Sequence, residues 1–284
     1  MKKNIITGIF AFFLVNTFAQ TYCTEENQTL CESTLDKFAD KDWEDLPVNE
    51  VAIRVARNFL GTPYVAKTLE IPGEEKLVID LQGLDCTTFL ENVVVFSRLI
   101  KKQELDFDSF QEELAFLRYR DGEQGAYPTR LHYFSDWIYE NAQKGIIEDV
   151  TRKVGGVTYE NKLNFMSTHP AAYRQLSENA EFVKAIAENE SEISGREYHY
   201  LPKATVAQHE SKIQSGDLIA ITTGIAGLDI VHVGFALRQN GRIHLFHAST
   251  GSNKVEISEK PLADYLAGNK SQSGIMVCRL VGIE

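Results

Sequence analysis

The stretch Gly83-Leu84-Asp85-Cys86-Thr87-Thr88-Phe89 places a single cysteine at the start of an apolar segment that extends to Ile100. Asp85 favours the N-cap of a helix, so Cys86 is predicted at the first helical position. The free N–H groups and the helix dipole stabilise a thiolate there, whereas the charge of Asp85 opposes it. The motif alone leaves two interpretations open, a nucleophilic thiol or a small buried residue that packs one helix.

The first residues have the pattern of an export signal. Lys2 and Lys3 precede a short apolar run, and Thr17-Phe18-Ala19 offers small residues for cleavage. The apolar run is too short to span a bilayer as a mature helix. We therefore expect residues 1–19 to be a signal peptide cleaved near Ala19, and the mature chain to be a soluble periplasmic or secreted protein without a transmembrane segment.

Charge and length narrow the classes of function. Loss of Lys2 and Lys3 would change the formal net charge of the 284-residue chain from −11 to −13. So acidic a chain is a poor binder of nucleic acid or of an anionic membrane surface. The length suits one medium-sized domain, or a domain with a large insertion.

The four cysteines of an exported chain raise the question of disulfides. Cys23 and Cys31 lie close together in a polar segment, and the sequence leaves open whether they pair. Cys278 belongs to the apolar strand pattern 275–280 and is predicted to be core. Cys86 remains as the cysteine whose context indicates chemistry.

Helical patterns come first along the chain and strand patterns follow. Residues 20–50 are predicted to form an N-terminal arm, and residues 51–284 a single domain with an insertion at about 101–215. The helical patterns cover residues 51–60, 86–100, 107–119, 131–144 and 171–189, and the strand patterns cover 218–221, 231–237, 242–248, 254–257 and 275–280. This order predicts an α+β fold with the helices on one side of an antiparallel sheet.

The Asn240-Gly241 pair predicts a two-residue hairpin turn. With that turn, His232 and His247 become diagonal neighbours on one sheet face, with backbones about 7–8 Å apart. His244 has the opposite parity and is predicted to point to the other face. Two histidines on one face can be core residues whose hydrogen-bonding groups are satisfied. Together with Cys86, however, they favour a Cys-His catalytic arrangement.

Each residue type suggests a role. The Cys86 thiolate would attack an amide carbonyl, His232 would move the proton, and His247 would fix the tautomer of His232. The backbone N–H of Cys86 is a candidate oxyanion donor. Tyr64 is either a hydroxyl donor to the same site or an ordinary packed tyrosine.

Several motifs in order along the chain resemble the NlpC-type papain-like cell-wall hydrolases. They are Gly61-Thr62-Pro63-Tyr64, Asp85-Cys86, Gly216-Asp217-Leu218-Ile219, His232-Val233-Gly234 and His247-Ala248. The stretches 85–91, 130–137 and Gly227-Leu228-Asp229 are similar to the N-acetylmuramoyl-L-alanine amidase-like branch of that family.

The resemblance implies a papain-like fold and hydrolysis of a peptidoglycan amide, most simply the N-acetylmuramoyl-L-alanine amide, through a thioester acyl-enzyme. It implies Cys86 as nucleophile, His232 as base and His247 as the orienting residue, without a cofactor. It also implies that Tyr64 lines the oxyanion region and that Asp85 contacts polar groups of the substrate. The long insertion departs from the compact family core, so substrate specificity does not transfer directly.

Three further residues have both a functional and a structural interpretation. Arg130 holds a peptide carboxylate or is a surface arginine. Trp137 stacks on a sugar or stem peptide or is a core residue. Asp229 polarises the site or forms a turn.

Three rival functions stay open. A zinc site is disfavoured because the chain lacks a short Cys-x-x-Cys or His-x-x-x-His clamp. A cell-wall-binding module without activity is disfavoured by the presence of all three triad candidates. A stem-peptide endopeptidase or an acyltransferase of the same mechanism is not separated by sequence, and neither stem-peptide preference nor oligomeric state can be read from it.

Overall fold

The computed structural model describes residues 20–43 and 45–283. The predicted signal peptide, residues 1–19, lies outside the described residues. Within the described ranges, no helix combines the length and the hydrophobicity that crossing a bilayer requires.

The described residues form α-helices and strands as follows. The helices are α1 Glu25–Ala39, α2 Val48–Asn58, α3 Cys86–Lys102, α4 Phe107–Arg118, α5 Phe134–Gln143, α6 Thr151–Val154, α7 Phe165–Thr168, α8 Arg174–Glu178, α9 Ala180–Ser194, α10 Val206–His209 and α11 Leu262–Ala267. The strands are β1 Thr21–Cys23, β2 Leu77–Ile79, β3 Ile147–Asp149, β4 Val157–Tyr159, β5 Tyr198–Pro202, β6 Leu218–Thr223, β7 Ile230–Gln239, β8 Arg242–Ser249, β9 Lys254–Pro261 and β10 Gln272–Leu280.

The main sheet is antiparallel, with the strand order β4-β5-β10-β6-β7-β8-β9 and β3 paired to β10. The predicted α+β class with an antiparallel sheet is therefore confirmed. Helix α3 packs against β7 and β8. This contact brings the helix that begins at Cys86 to the hairpin that carries the histidines.

Both faces of the sheet are covered. Phe235 and Leu237 of β7 enter the core that contains α3, whereas Ala236 enters a second core with Leu262 and Leu266 of α11. This alternation follows from the two-residue period of a strand. The prediction of helices on one side only is therefore wrong, because the short helices α6, α10 and α11 cover the second face.

The N-terminal arm is part of the main core. Strand β1 pairs in parallel with β2, and Thr24 caps α1 by accepting the Asn27 N–H at 3.2 Å. The buried face of α1 includes Leu35 and Phe38, and the Phe38 ring meets that of Phe96 in α3 at a centroid distance of 5.6 Å.

The insertion contributes strands as well as helices. Strands β3 and β5 both pair with β10, and β4 extends the sheet beyond β5. The sequence pattern predicts only helices here, because these strands are three to five residues long. The single helix predicted over 171–189 is two helices, which separate where Asn179 caps α9.

A buried ion pair lies on the inner side of α3. The Arg118 Nε donates to a Glu91 carboxylate oxygen at 2.8 Å, and the two side chains are 3% and 2% exposed. The other Glu91 oxygen accepts the Trp137 Nε1–H at 3.2 Å, and Arg118 also donates to the Val78 carbonyl at 2.7 Å. The carboxylate therefore joins α3, α4 and α5 in the interior.

Candidate active site

Cys86 is the first residue of α3, as predicted, and Asp85 is its N-cap. The Asp85 carboxylate accepts the Thr88 N–H at 2.8 Å, and the Thr88 hydroxyl accepts the Asp85 N–H at 2.9 Å. This reciprocal capping box fixes the first turn and the direction in which the chain enters it. The Cys86 side chain is thereby held at a partly exposed helix start.

The hairpin register places the two histidines together. Asn240 and Gly241 have φ of 50° and 81°, the left-handed conformations that a two-residue hairpin turn requires. Gln239 pairs with Arg242, as predicted. The His232 Nε2 and the His247 Nδ1 lie 2.6 Å apart, with the two rings perpendicular. The predicted neighbours are thus a hydrogen-bonded pair.

His244 lies outside this pair. Its Nδ1 lies 2.8 Å from the Ser258 carbonyl and donates to it, since a carbonyl oxygen can only accept. Its partner across the hairpin is Leu237, a residue of the first core, whereas His247 has the parity of Leu245 in the second core. The prediction that His244 points to the other face of the sheet is confirmed.

Gly234 allows β8 to approach β7 beside the histidines. A Cβ at this position would lie 2.6 Å from the Phe246 carbonyl oxygen and 2.9 Å from the His247 Cβ. Only a residue without a side chain accommodates that approach.

We therefore expect Gly234→Ala to lower the free energy of unfolding by about 1–3 kcal/mol, because backbone must shift to relieve the overlap. It should also lower kcat, since His247 moves with β8. Urea unfolding and steady-state kinetics measure the two effects. Gly251→Ala is the control, because the nearest atom to its added Cβ lies at 3.6 Å; equal losses in both variants would contradict the close approach.

Burial sets the resting protonation state of the three residues. It raises the pKa of the Cys86 thiol to about 12, with the Asp85 charge as the second cause, against hydrogen bonds from Val233 and Thr87. Burial lowers the pKa of His232 to about 4. It lowers that of His247 to about 3, with help from the His232 charge. Near neutral pH, the group therefore rests as a thiol beside two neutral imidazoles.

Cys86 and His232 line one cavity of about 190 Å³, which also includes Leu131, His132 and Tyr173. A second cavity of about 590 Å³ shares Thr87 and those same three residues, and reaches Asp85, Glu91 and Arg130. The shared lining makes the two cavities neighbouring parts of one cleft, with the thiol in the smaller part.

Two further tyrosines, Tyr64 and Tyr265, lie beside members of the Cys86–His232–His247 group. Tyr64 forms a bridge with Leu84, just before the helix cap, and burial raises the pKa of its phenol to about 12, with the Cys86 charge as the next cause. Tyr265 of α11 packs edge-on against His247 at a ring distance of 5.7 Å. The sequence indicates Tyr64 but not Tyr265, which lies in a six-residue helix without a recognisable motif.

One protein family matches most of the chain. The AmiA-like family, described as N-acetylmuramoyl-L-alanine amidase-like, matches residues 54–275. The chain belongs to this family. It is thus a member of an amidase-like family of cell-wall hydrolases, which confirms the broader part of the resemblance read from the sequence. No curated protein matches this amidase-like chain.

Solved structures agree with the assignment. An N-acetylmuramoyl-L-alanine amidase from Bacteroides uniformis is 38% identical, with a TM-score of 0.79 over 82% of this chain and 99% of that chain. A protein from Bacteroides fragilis, named as a proposed xylanase, is 39% identical, with a TM-score of 0.76 over 80% and 99%. A Legionella pneumophila protein at 20% identity and a TM-score of 0.67, over 90% and 95%, shares the fold.

Arg130 of the amidase-like chain is buried and paired. Its guanidinium lies 2.7 Å from Glu70 and 3.1 Å from Glu75, and only 7% of the residue is exposed. The surface interpretation is therefore wrong, because the chain supplies two carboxylates that neutralise the charge in the interior. Those same carboxylates disfavour a second role in binding a substrate carboxylate.

Trp137 and Asp229 have structural partners. Trp137 is completely buried and stacks on Phe134 at 4.7 Å, so the prediction that it stacks on a substrate is wrong and the core alternative holds. Asp229 is buried and accepts the Ser135 N–H at 2.7 Å, which supplies the cap that the start of α5 lacks locally. It also lines the smaller cavity, close to His232.

The disulfide that the sequence leaves open is not formed in the structure, where Cys23 and Cys31 are free thiols. Cys31 lies on the buried face of α1, whereas Cys23 belongs to β1 and contacts the Thr24 carbonyl. Cys278 is buried, as predicted. Among the described residues, no group of three His, Cys, Asp or Glu side chains has an arrangement that could hold a metal ion.

Proposed function

We propose that this chain is an exported cysteine amidase of the NlpC-type papain-like class, which hydrolyses the N-acetylmuramoyl-L-alanine amide of peptidoglycan. The observation that carries the proposal is the 2.6 Å contact between His232 and His247, in a chain where His232 and Cys86 line one cavity. The family match and the amidase from Bacteroides uniformis support the choice of bond. The export part rests on the pattern of residues 1–19.

The hydrogen bond between the histidines defines the competent tautomers. A base that accepts the thiol proton needs a free lone pair, and the His232 Nε2 is already engaged by His247. The Nδ1 of His232 must therefore be the accepting atom, with the proton of the neutral ring on Nε2. His247 accepts that proton at Nδ1 and consequently carries its own proton on Nε2.

The reaction follows from these roles. The Cys86 sulfur bonds to the amide carbonyl carbon while the His232 Nδ1 takes the thiol proton. The C–N bond then breaks, the proton passes from His232 to the departing amine, and the muramoyl group stays on sulfur as a thioester. Water, deprotonated by His232, attacks the thioester and releases the carboxylic acid and the thiol. The N–H of Cys86 and the Tyr64 hydroxyl are proposed to stabilise the oxyanion.

The pH dependence of the rate should show that His232 acts from its neutral form. Activity requires neutral His232, whose pKa is lowered to about 4, so the rate should fall as the pH drops through about 4. The limb belongs to the Cys86–His232–His247 group as a coupled unit. Measurement of kcat/KM against pH tests this, with circular dichroism at each pH to confirm that the protein stays folded. An acid limb at the ordinary histidine value of about 6.5 would contradict the buried, neutral base.

Product analysis decides which bond is cut. A disaccharide tetrapeptide of defined composition, incubated with the enzyme, should yield free disaccharide and intact stem peptide by mass spectrometry. Shortened stem peptides would instead indicate an endopeptidase of the same mechanism. Cleavage between the sugars would support a glycosidase, and binding without any product would support a cell-wall-binding module; each of these three results contradicts the proposal.

A further inference from the structure

Among the described residues, the His247 side chain makes one hydrogen bond, with His232, and that bond depends on the orientation of the ring. Its ring is 1% exposed, its Nδ1 meets His232, and its Nε2 has no hydrogen-bond partner among the described residues. Rotation of the imidazole about the Cβ–Cγ bond would replace the accepting Nδ1 by a C–H group. His232 would then lose the contact that keeps its own proton on Nε2. Within the described part of the chain, the bond to His232 is the one hydrogen bond that opposes this rotation, so a packing contact on the ring would add to its orientation.

Three of the described residues face His247 from the elements packed around it. His232 of β7 bonds to it, and Glu256 of β9 is its direct cross-strand partner, so the two side chains lie on the same sheet face. Tyr265 of α11 contacts its ring at 5.7 Å with an interplanar angle of 79°.

The helix that carries Tyr265 is held in place by buried contacts. It is attached to the second core by Leu262 and Leu266, which are fully buried on either side of Tyr265 in sequence. Burial raises the pKa of the phenol, against a hydrogen bond from the Gln272 side chain of β10; the charges of Cys86 and Glu256 also raise it. The Tyr265 ring therefore lies against His247, at the edge of the second core.

We propose that Tyr265 is a positioning residue of the catalytic centre, whose ring holds the His247 imidazole in the orientation that accepts the Nε2–H of His232. An edge-to-face contact between aromatic rings is directional, so a tyrosine at this place restricts rotation as well as filling space. The proposal rests on the Cys86–His232–His247 mechanism proposed above. It adds a fourth residue that acts through His247 and does not touch the reacting atoms.

The test compares variants that keep and remove the ring. Tyr265→Phe should retain kcat within about twofold, because the ring remains. Tyr265→Leu should lower kcat about 10- to 100-fold with KM within about twofold, since misplacement of a catalytic group affects the chemical step. Its acid limb should move up by about one pH unit, because water that reaches His247 relieves part of the desolvation. Tyr139→Leu, at a tyrosine that is 38% exposed on α5, is the matched control.

A second measurement does not depend on the substrate. The rate at which iodoacetamide alkylates Cys86 at pH 7 should fall about 10-fold in Tyr265→Leu and stay near the wild-type rate in Tyr265→Phe, because only a correctly oriented His232 assists thiolate formation. Tyr265→Met, which fills a similar volume with a flexible chain, is measured beside Tyr265→Leu, and thermal unfolding shows that each variant is folded.

Two results would overturn the inference. The first is that Tyr265→Leu and Tyr265→Met, both folded, keep the wild-type kcat and the wild-type rate of Cys86 alkylation. The second is that Tyr265→Phe loses as much kcat as Tyr265→Leu. A wild-type protein that cleaves no muropeptide would refute the proposed function instead, and the alkylation rates would still decide the role of Tyr265.

Discussion

Replacement of Cys86 by alanine is expected to lower kcat/KM by at least about 10³-fold, because the proposed acyl-enzyme is a thioester of the Cys86 sulfur. The fold should survive, since Cys86 is partly exposed at a helix start whose cap is made by Asp85 and Thr88. Release of disaccharide from a defined muropeptide measures the loss. Binding of the same muropeptide, followed by calorimetry, should stay within a few-fold of wild type, since the cleft is otherwise intact.

Cys23→Ser is the matched control, because Cys23 is also a partly exposed thiol but belongs to β1. It should keep full activity. Iodoacetamide should label Cys86 of the native wild-type protein and abolish its activity. Full activity in Cys86→Ala, or inactivation that follows the labelling of Cys278, would place the reactive thiol elsewhere.

The largest effect on stability is expected for Glu91→Ala, at about 3–5 kcal/mol of unfolding free energy. The substitution leaves the Arg118 guanidinium buried without its carboxylate and removes the acceptor of the Trp137 Nε1–H. Desolvated charge, rather than lost attraction, accounts for most of the cost. Equilibrium urea unfolding, with the slope compared between variants, measures it.

Glu50→Ala is the control for the loss of a glutamate, since its ion pair with Arg54 on α2 is long, at 3.9 Å, and exposed. It should cost no more than about 0.5 kcal/mol. The double variant Glu91→Leu with Arg118→Met should recover part of the loss, because no buried charge is left alone. Similar costs for Glu91→Ala and Glu50→Ala would contradict the burial of this pair.

Local sequence signals were sufficient to predict the site where they fixed the register of a hairpin or the start of a helix. Asn240-Gly241 determined the pairing of β7 with β8, and that pairing alone brought His232 and His247 to one face. Asp85 likewise predicted the start of α3, since the acceptor of the cap lies within the motif itself. The family resemblance then indicated the class of bond, which the match over residues 54–275 supports at the level of the family.

Contacts between residues far apart in the sequence could not be predicted in the same way. Arg130 is buried because Glu70 and Glu75, more than fifty residues earlier, neutralise it. The short strands β3 and β5 form by pairing with β10, and neither has a strand-like periodicity in its own sequence. Asn179, a strong N-cap residue, is the one local signal that separates α8 from α9.

The position of β10 has a consequence for how the chain folds. This strand lies between β5 and β6, so residues 272–280 join two parts of the sheet that are otherwise formed earlier along the chain. Folding must therefore close long loops before the sheet is continuous, and topologies of this kind fold slowly. Until β10 is in place, the edge of β6 that it covers is unpaired, and unpaired strand edges favour association with other chains.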